Sequence, residues 1–216
     1  MNLLRSTAIA GVLLVAGASS SFASTISFSS AFGPTKTDFA NAPLTISGFN
    51  SSLGTLTGVA LTLTSSETMN GTLTNTTSTP QTFKYTESSD VTSSSAISGL
   101  SGLDVALSAN TGMVTVAPGD TLAFNQSPSN SVSSSPTDLA DFVGSSLAFS
   151  ISTLTGDGFL GGGGNINAKI VTVASGTLGV VYTYALPTPP SVPEPASLAL
   201  LGAGLAGLGL LRRRAK

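Results

Sequence analysis

Leu56-Thr57-Gly58-Val59-Ala60-Leu61-Thr62-Leu63-Thr64 sets Val59, Leu61 and Leu63 on one side of the chain and Thr62 and Thr64 on the other. A period of two is that of a strand with one face buried, whereas an amphipathic helix repeats about every 3.6 residues. Thr on the outer face keeps β-propensity without adding charge. The same alternation marks residues 25–32, 44–49, 71–75, 81–86, 103–107, 113–116, 121–124, 147–151, 166–173 and 177–184 as further strands. Turn residues separate them at Asn70-Gly71, Thr79-Pro80, Ala117-Pro118-Gly119-Asp120 and Gly156-Asp157-Gly158. Short strands at such intervals predict an all-β fold, an antiparallel β-sandwich of Greek-key or jelly-roll-like form. No fixed repeat points to a solenoid, and the Ser-rich stretch 127–137 reads as low complexity.

The composition narrows the chemistry. Of 216 residues, 63 are Ser or Thr and only 8% are charged, against about a quarter in an average soluble protein. There is no His, Cys or Trp. That excludes Ser-His-Asp and Cys-His nucleophiles, imidazole and thiolate metal sites, disulfides and iron–sulfur clusters. Between residues 24 and 193 three cations (Lys36, Lys84, Lys169) face nine anions, leaving −6 with no basic run. Binding to a nucleic-acid backbone needs clustered Lys and Arg, so no nucleic-acid partner is expected.

Both ends read as addresses. Residues 1–23 form a secretory signal peptide, helical in its apolar part, with Arg5 in the n-region, an apolar run over 8–18, and small residues before a cut between Ala23 and Ser24. Signal peptidase is the implied partner. At the other end, residues 196–211 are apolar and glycine-rich, and 212–216 are the basic tail Arg212-Arg213-Arg214-Ala215-Lys216. Sixteen helical residues span about 24 Å, short for a hydrocarbon core of about 30 Å. The reading is a short transmembrane helix whose end Arg212, Arg213 and Arg214 hold on the cytoplasmic side. Residues 186–195 hold five prolines and form a semi-rigid linker after the β domain of 24–185.

Val192-Pro193-Glu194-Pro195-Ala196-Ser197, the short glycine-rich apolar segment and the terminal Arg cluster resemble a PEP-CTERM sorting signal. The resemblance covers about the last 25 residues. It implies an exosortase-type membrane transpeptidase as partner, cutting at or near Pro193-Glu194-Pro195, with the membrane contact transient. Glu194 is then a substrate residue for another enzyme. It further implies a Gram-negative bacterium that makes extracellular polysaccharide, and export across its inner membrane to the surface or matrix. Thr37-Asp38-Phe39, Leu44-Thr45-Ile46-Ser47-Gly48-Phe49-Asn50, Ser52-Leu53-Gly54-Thr55-Leu56-Thr57-Gly58-Val59 and the closing Val180-Val181-Tyr182-Thr183-Tyr184 are similar to choice-of-anchor E domains. That resemblance carries no catalytic residue.

Candidate chemistry inside the domain is sparse. Asp138 and Asp141 are the closest acid pair, spaced for one helical face. Ca²⁺ wants about six to eight oxygens, which the sequence does not supply, so a solvated turn is the better reading. Residues 156–165 resemble one copy of a calcium-binding nonapeptide, but such repeats work as tandem stacks, and a loop is expected. Lys84 and Lys169 lie in strand-like segments and read as guards of a sheet edge. Asn50, Asn70, Asn75 and Asn125 begin Asn-x-Ser/Thr sequons, which suits accessible loops or strand edges. Tyr182 and Tyr184 share a strand face, either as a small stacking platform for a glycan or as a pair in the core. The expectation is therefore a non-catalytic, exosortase-sorted surface or matrix protein associated with exopolysaccharide and biofilm, without cofactor or metal. The alternative is a carbohydrate-binding or adhesion module using Tyr182 and Tyr184.

Overall fold

The computed structural model describes residues 23–97, 100, 102–187 and, toward the C-terminus, 200–205, 207, 209 and 212. The chain divides into two units, Met1–Leu186 and Pro187–Lys216. In the second unit the described residues from 200 onward are helical. No helix among the described residues is long and apolar enough to cross a membrane. The signal segment before Ala23, the motif Val192-Pro193-Glu194-Pro195 and half of the apolar segment 196–211 lie outside the described residues.

Over its described residues the first unit is all-β. Its strands are β1 (Ala23–Lys36), β2 (Ala42–Ser47), β3 (Thr55–Asn75), β4 (Gln81–Ser95), β5 (Leu103–Asn110), β6 (Val114–Val116), β7 (Thr121–Gln126), β8 (Ser129–Ser134), β9 (Ser146–Gly161) and β10 (Ile166–Ala185). One sheet has the order β1-β10-β3-β7, with β8 also on β3, and the other β2-β9-β4-β5, with β6 also on β4. All strand pairs are antiparallel. Taking β5 with β6 and β7 with β8 as interrupted single strands, the path alternates between sheets except at the β4–β5 hairpin, as in an eight-stranded jelly roll.

The alternation around Leu61 does what its period demands. Val59, Leu61, Leu63, Met69 and Leu73 of β3 are buried, and Leu61 lies opposite Val180 of β10. Several strands are longer than the sequence suggests. Residues 56–64 and 71–75 are one strand, as are 166–173 and 177–184. The supposed turn at Asn70-Gly71 is strand interior. A Cβ on Gly71 would meet the Lys169 carbonyl and come within 2.7 Å of Ile170 Cα, so glycine permits close strand approach there. Gly156-Asp157-Gly158 likewise lies inside β9, and the Ser-rich stretch supplies β8. Ala117–Asp120 is a turn as expected, closed by Asp120 N–H to the Ala117 carbonyl at 3.1 Å, with Gly119 at φ 76°.

Two apolar clusters fill the sandwich. One gathers Leu61, Leu63, Val91, Phe142, Ile151 and Leu178, and the other Met69, Leu73, Phe83, Tyr85 and Phe124. Each fully buried side chain of this size contributes roughly 1.5–3 kcal/mol. A buried polar band of Ser65, Glu67, Glu87, Ser89 and Thr172 accompanies them.

Candidate functional site

The polar band is built by register. Continuing the period of two from Val59 along β3 puts residue 67 on the inner face, and the same parity along β4 puts residue 87 there. Glu67 is only 1% exposed and Glu87 3%. Glu67 Oε1 accepts from Ser89 Oγ at 2.6 Å, while its Oε2 has no partner. Glu87 accepts from Tyr85 OH at 3.1 Å through Oε2, and from Thr172 Oγ1 through Oε1. Burial pushes the Glu67 carboxyl above its ordinary range; Ser89 pulls it down, and Glu87, Asp38 and Asp90 push it up. Burial, then the Glu87 carboxylate, holds the Tyr85 phenol above its usual range.

Beside this band lies a cleft of about 330 Å³, walled by Lys36, Asp38, Glu87, Asp157, Ile170 and Thr172 among others. The segment between β1 and β2 roofs it. Asp38 (φ 64°) and Asn41 (φ 55°) take the left-handed conformation, which Asp and Asn tolerate better than most residues. Bonds to β9 hold them there. Thr155 N–H donates to Asp38 Oδ1 at 2.8 Å, Asp38 N–H to Thr153 Oγ1 at 3.0 Å, and Asn41 N–H to Ser152 Oγ at 3.0 Å. Tyr85 also lines the cleft, and its ring meets that of Phe159 at 5.0 Å.

The residues singled out in the sequence are placed differently. Tyr182 is wholly buried, packs on Phe28 and Phe49 at 6.1 and 5.7 Å, and donates to the Ser47 carbonyl at 3.0 Å. Burial raises its phenol to about 12. Tyr184 is half-buried against Phe49 at 5.4 Å. The pair shares a face, as period two requires, but it is part of the core and offers no stacking platform. Asp138 caps a turn, accepting from Ala140 N–H at 3.2 Å. Among the described residues no three acidic side chains are grouped to hold a metal ion. Lys84 lies on β4, an interior strand, opposite Leu160, so it guards no edge; Lys169 does lie beside an unpaired stretch of β10. Asn75, read as accessible, is fully buried, its Nδ2 donating to the carbonyls of Thr79, Val116 and Ala117. Ala23 is the first residue of β1, opposite Ala185, and Ser24 lies opposite Tyr184. Arg212 is helical.

The Glu67–Glu87 band is not evident from composition, because Glu is almost never fully buried unless paired. The signal was present in the parity of Leu61, Leu63, Ser65 and Glu67.

No curated protein matches the chain in sequence. Two solved structures match weakly. The T13 IBDV viral particle has 14% identity over 94% of this chain and 52% of its own, with a TM-score of 0.17. The infectious bursal disease virus Gt strain has 11% identity over 95% and 55%, also with a TM-score of 0.17. The chain thus spans about half the length of either, and the scores are too low to bear on the fold. Residues 191–214 match the PEP-CTERM protein-sorting motif. Over those residues the chain is similar to the signal that marks an exosortase-sorted extracellular protein.

Proposed function

We propose that this is a non-catalytic surface or extracellular-matrix protein associated with exopolysaccharide and biofilm. In this reading, signal peptidase cuts between Ala23 and Ser24. The segment 196–211 then anchors the chain briefly in the inner membrane, Arg212, Arg213 and Arg214 keep its end inside, and an exosortase-type enzyme acts near Pro193-Glu194-Pro195. The observation that carries the reading is the sorting motif over 191–214. The β domain adds support, since the outward residues of β3 are Ala60, Thr62, Thr64, Ser66, Thr68 and Asn70. Such a face offers hydroxyls to a hydrated polymer without charge. The domain itself is read as choice-of-anchor E-like, on its first third and closing strand.

Intact mass of the protein from membrane, surface and medium fractions of its native host tests the sorting. The expected species begins at Ser24 and ends within residues 193–195. A membrane-bound species that retains residues 212–216 overturns the processing, and the protein is then a permanently tethered one.

A further inference from the structure

On one side the sandwich lacks edge strands over part of its height. β1 pairs with β10 only over residues 173–185, and the last main-chain bond on that side is Thr37 N–H to the Thr172 carbonyl at 3.1 Å. β2 pairs with β9 only over residues 146–151. Below these points, residues 166–171 of β10 have β3 on one flank and no strand on the other, among the described residues. Residues 156–161 of β9 have β4 on one flank and are equally bare on the other. Inner-face side chains are therefore open to solvent. Phe159 shares the inward parity of Ile151 and Thr153, yet it is 41% exposed, and Asp157 beside it is exposed too.

We infer that this open seam is a docking groove for an extended segment of another polypeptide, which adds as a strand beside residues 166–171 and turns a basic side chain into the cleft. Two independent features select that occupant. Unpaired peptide groups along a strand margin are satisfied by another strand and by few other ligands. The cleft itself is acidic, with Asp38, Glu87 and Asp157 against Lys36 alone. These carboxylates are not grouped for one metal ion, but they suit the several donors of a lysine or arginine head, with Ala168 and Ile170 along its apolar stem. A second copy of the same edge fits poorly. Lys169 sits at the middle of this stretch, and a two-fold pairing of two such edges would set it against its twin. Lys169 faces outward, so the groove favours neutral or acidic residues at the partner's outward positions.

The test uses the full chain, labelled with ¹⁵N and titrated with the peptide Ac-TVTKTVT-NH₂, whose valines and lysine share one face. Amides of residues 156–161 and 166–172 shift and saturate, and Asp157→Asn weakens binding about five-fold, as loss of one partly exposed ion pair does at the upper end of its range. Asp157 is exposed, so this variant keeps the fold. Ac-TVTETVT-NH₂ leaves the same amides in place. If the lysine peptide moves none of them, or both peptides bind alike, the inference is wrong. If n-butylamine alone shifts them as strongly as the peptide, the cleft takes small amines and no strand docks.

Discussion

Glu67 shows what a single buried carboxyl does to a fold with so few charges. Its raised pKa means the group is best accommodated neutral. A carboxyl whose folded-state value lies above its unfolded value, about 4.5, gives its full stability below that value and loses it as pH rises through the folded one. The urea midpoint of the protein should therefore fall as the pH is raised above about 4.5, and Glu67→Gln should flatten that slope. With no His in the chain, no imbedded imidazole titrates in this window. A midpoint that rises over the same range would sink this account. Asn75 tests a polar side chain with full satisfaction. Its amide donates to three carbonyls and its Oδ1 accepts from Thr77 N–H and Thr77 Oγ1. Asn75→Ala should cost about 2–3 kcal/mol in denaturant unfolding, because buried partners are left unpaired. A loss within a few tenths of a kcal/mol would mean that water replaces the amide.

At the scale of the strands, the sequence was legible in its period and opaque in its punctuation. Alternation around Leu61, Phe83 and Val105 located strands and buried faces, because a half-buried sheet leaves no other place for those side chains. Glycine misled. Gly71 and Gly156 read as turn residues, but each lies within a long strand where the neighbouring chain, or an open margin, sets the need. The sheet partner that makes Gly71 necessary is about a hundred residues away in sequence, so no local reading finds it. Gly71→Ala should destabilise by about 2 kcal/mol through forced separation of β3 and β10, seen as faster amide exchange over residues 68–74. Unchanged exchange there would show that the strands can part without cost. Tyr182→Ala removes a wholly buried ring and should cost roughly 3–5 kcal/mol. If stability holds while glycan binding disappears, Tyr182 is a ligand contact after all.

For the whole molecule, the jelly-roll order was only partly legible. Eleven alternating segments announce a two-layer β fold, but the number of strands and their order follow from pairings such as Ala23 with Ala185, which join opposite ends of the domain. The open seam was hidden for the same reason: it arises where β1 and β2 stop short, and strand length is set by partners. The sorting motif, by contrast, is contiguous and was readable from residues alone.

The pairing of the first strand with the last has a mechanical consequence. β10 is the strand from which the chain leaves the domain, and it lies between β1 and β3, bonded to β3 along its full length. A steady pull on Ala185 along the strand axis loads two rows of hydrogen bonds at once, in shear. A pull between the two termini, which emerge side by side at Ala23 and Ala185, opens the β1–β10 row one rung at a time. The same domain is stiff when held by its tail and weak when peeled from its own beginning.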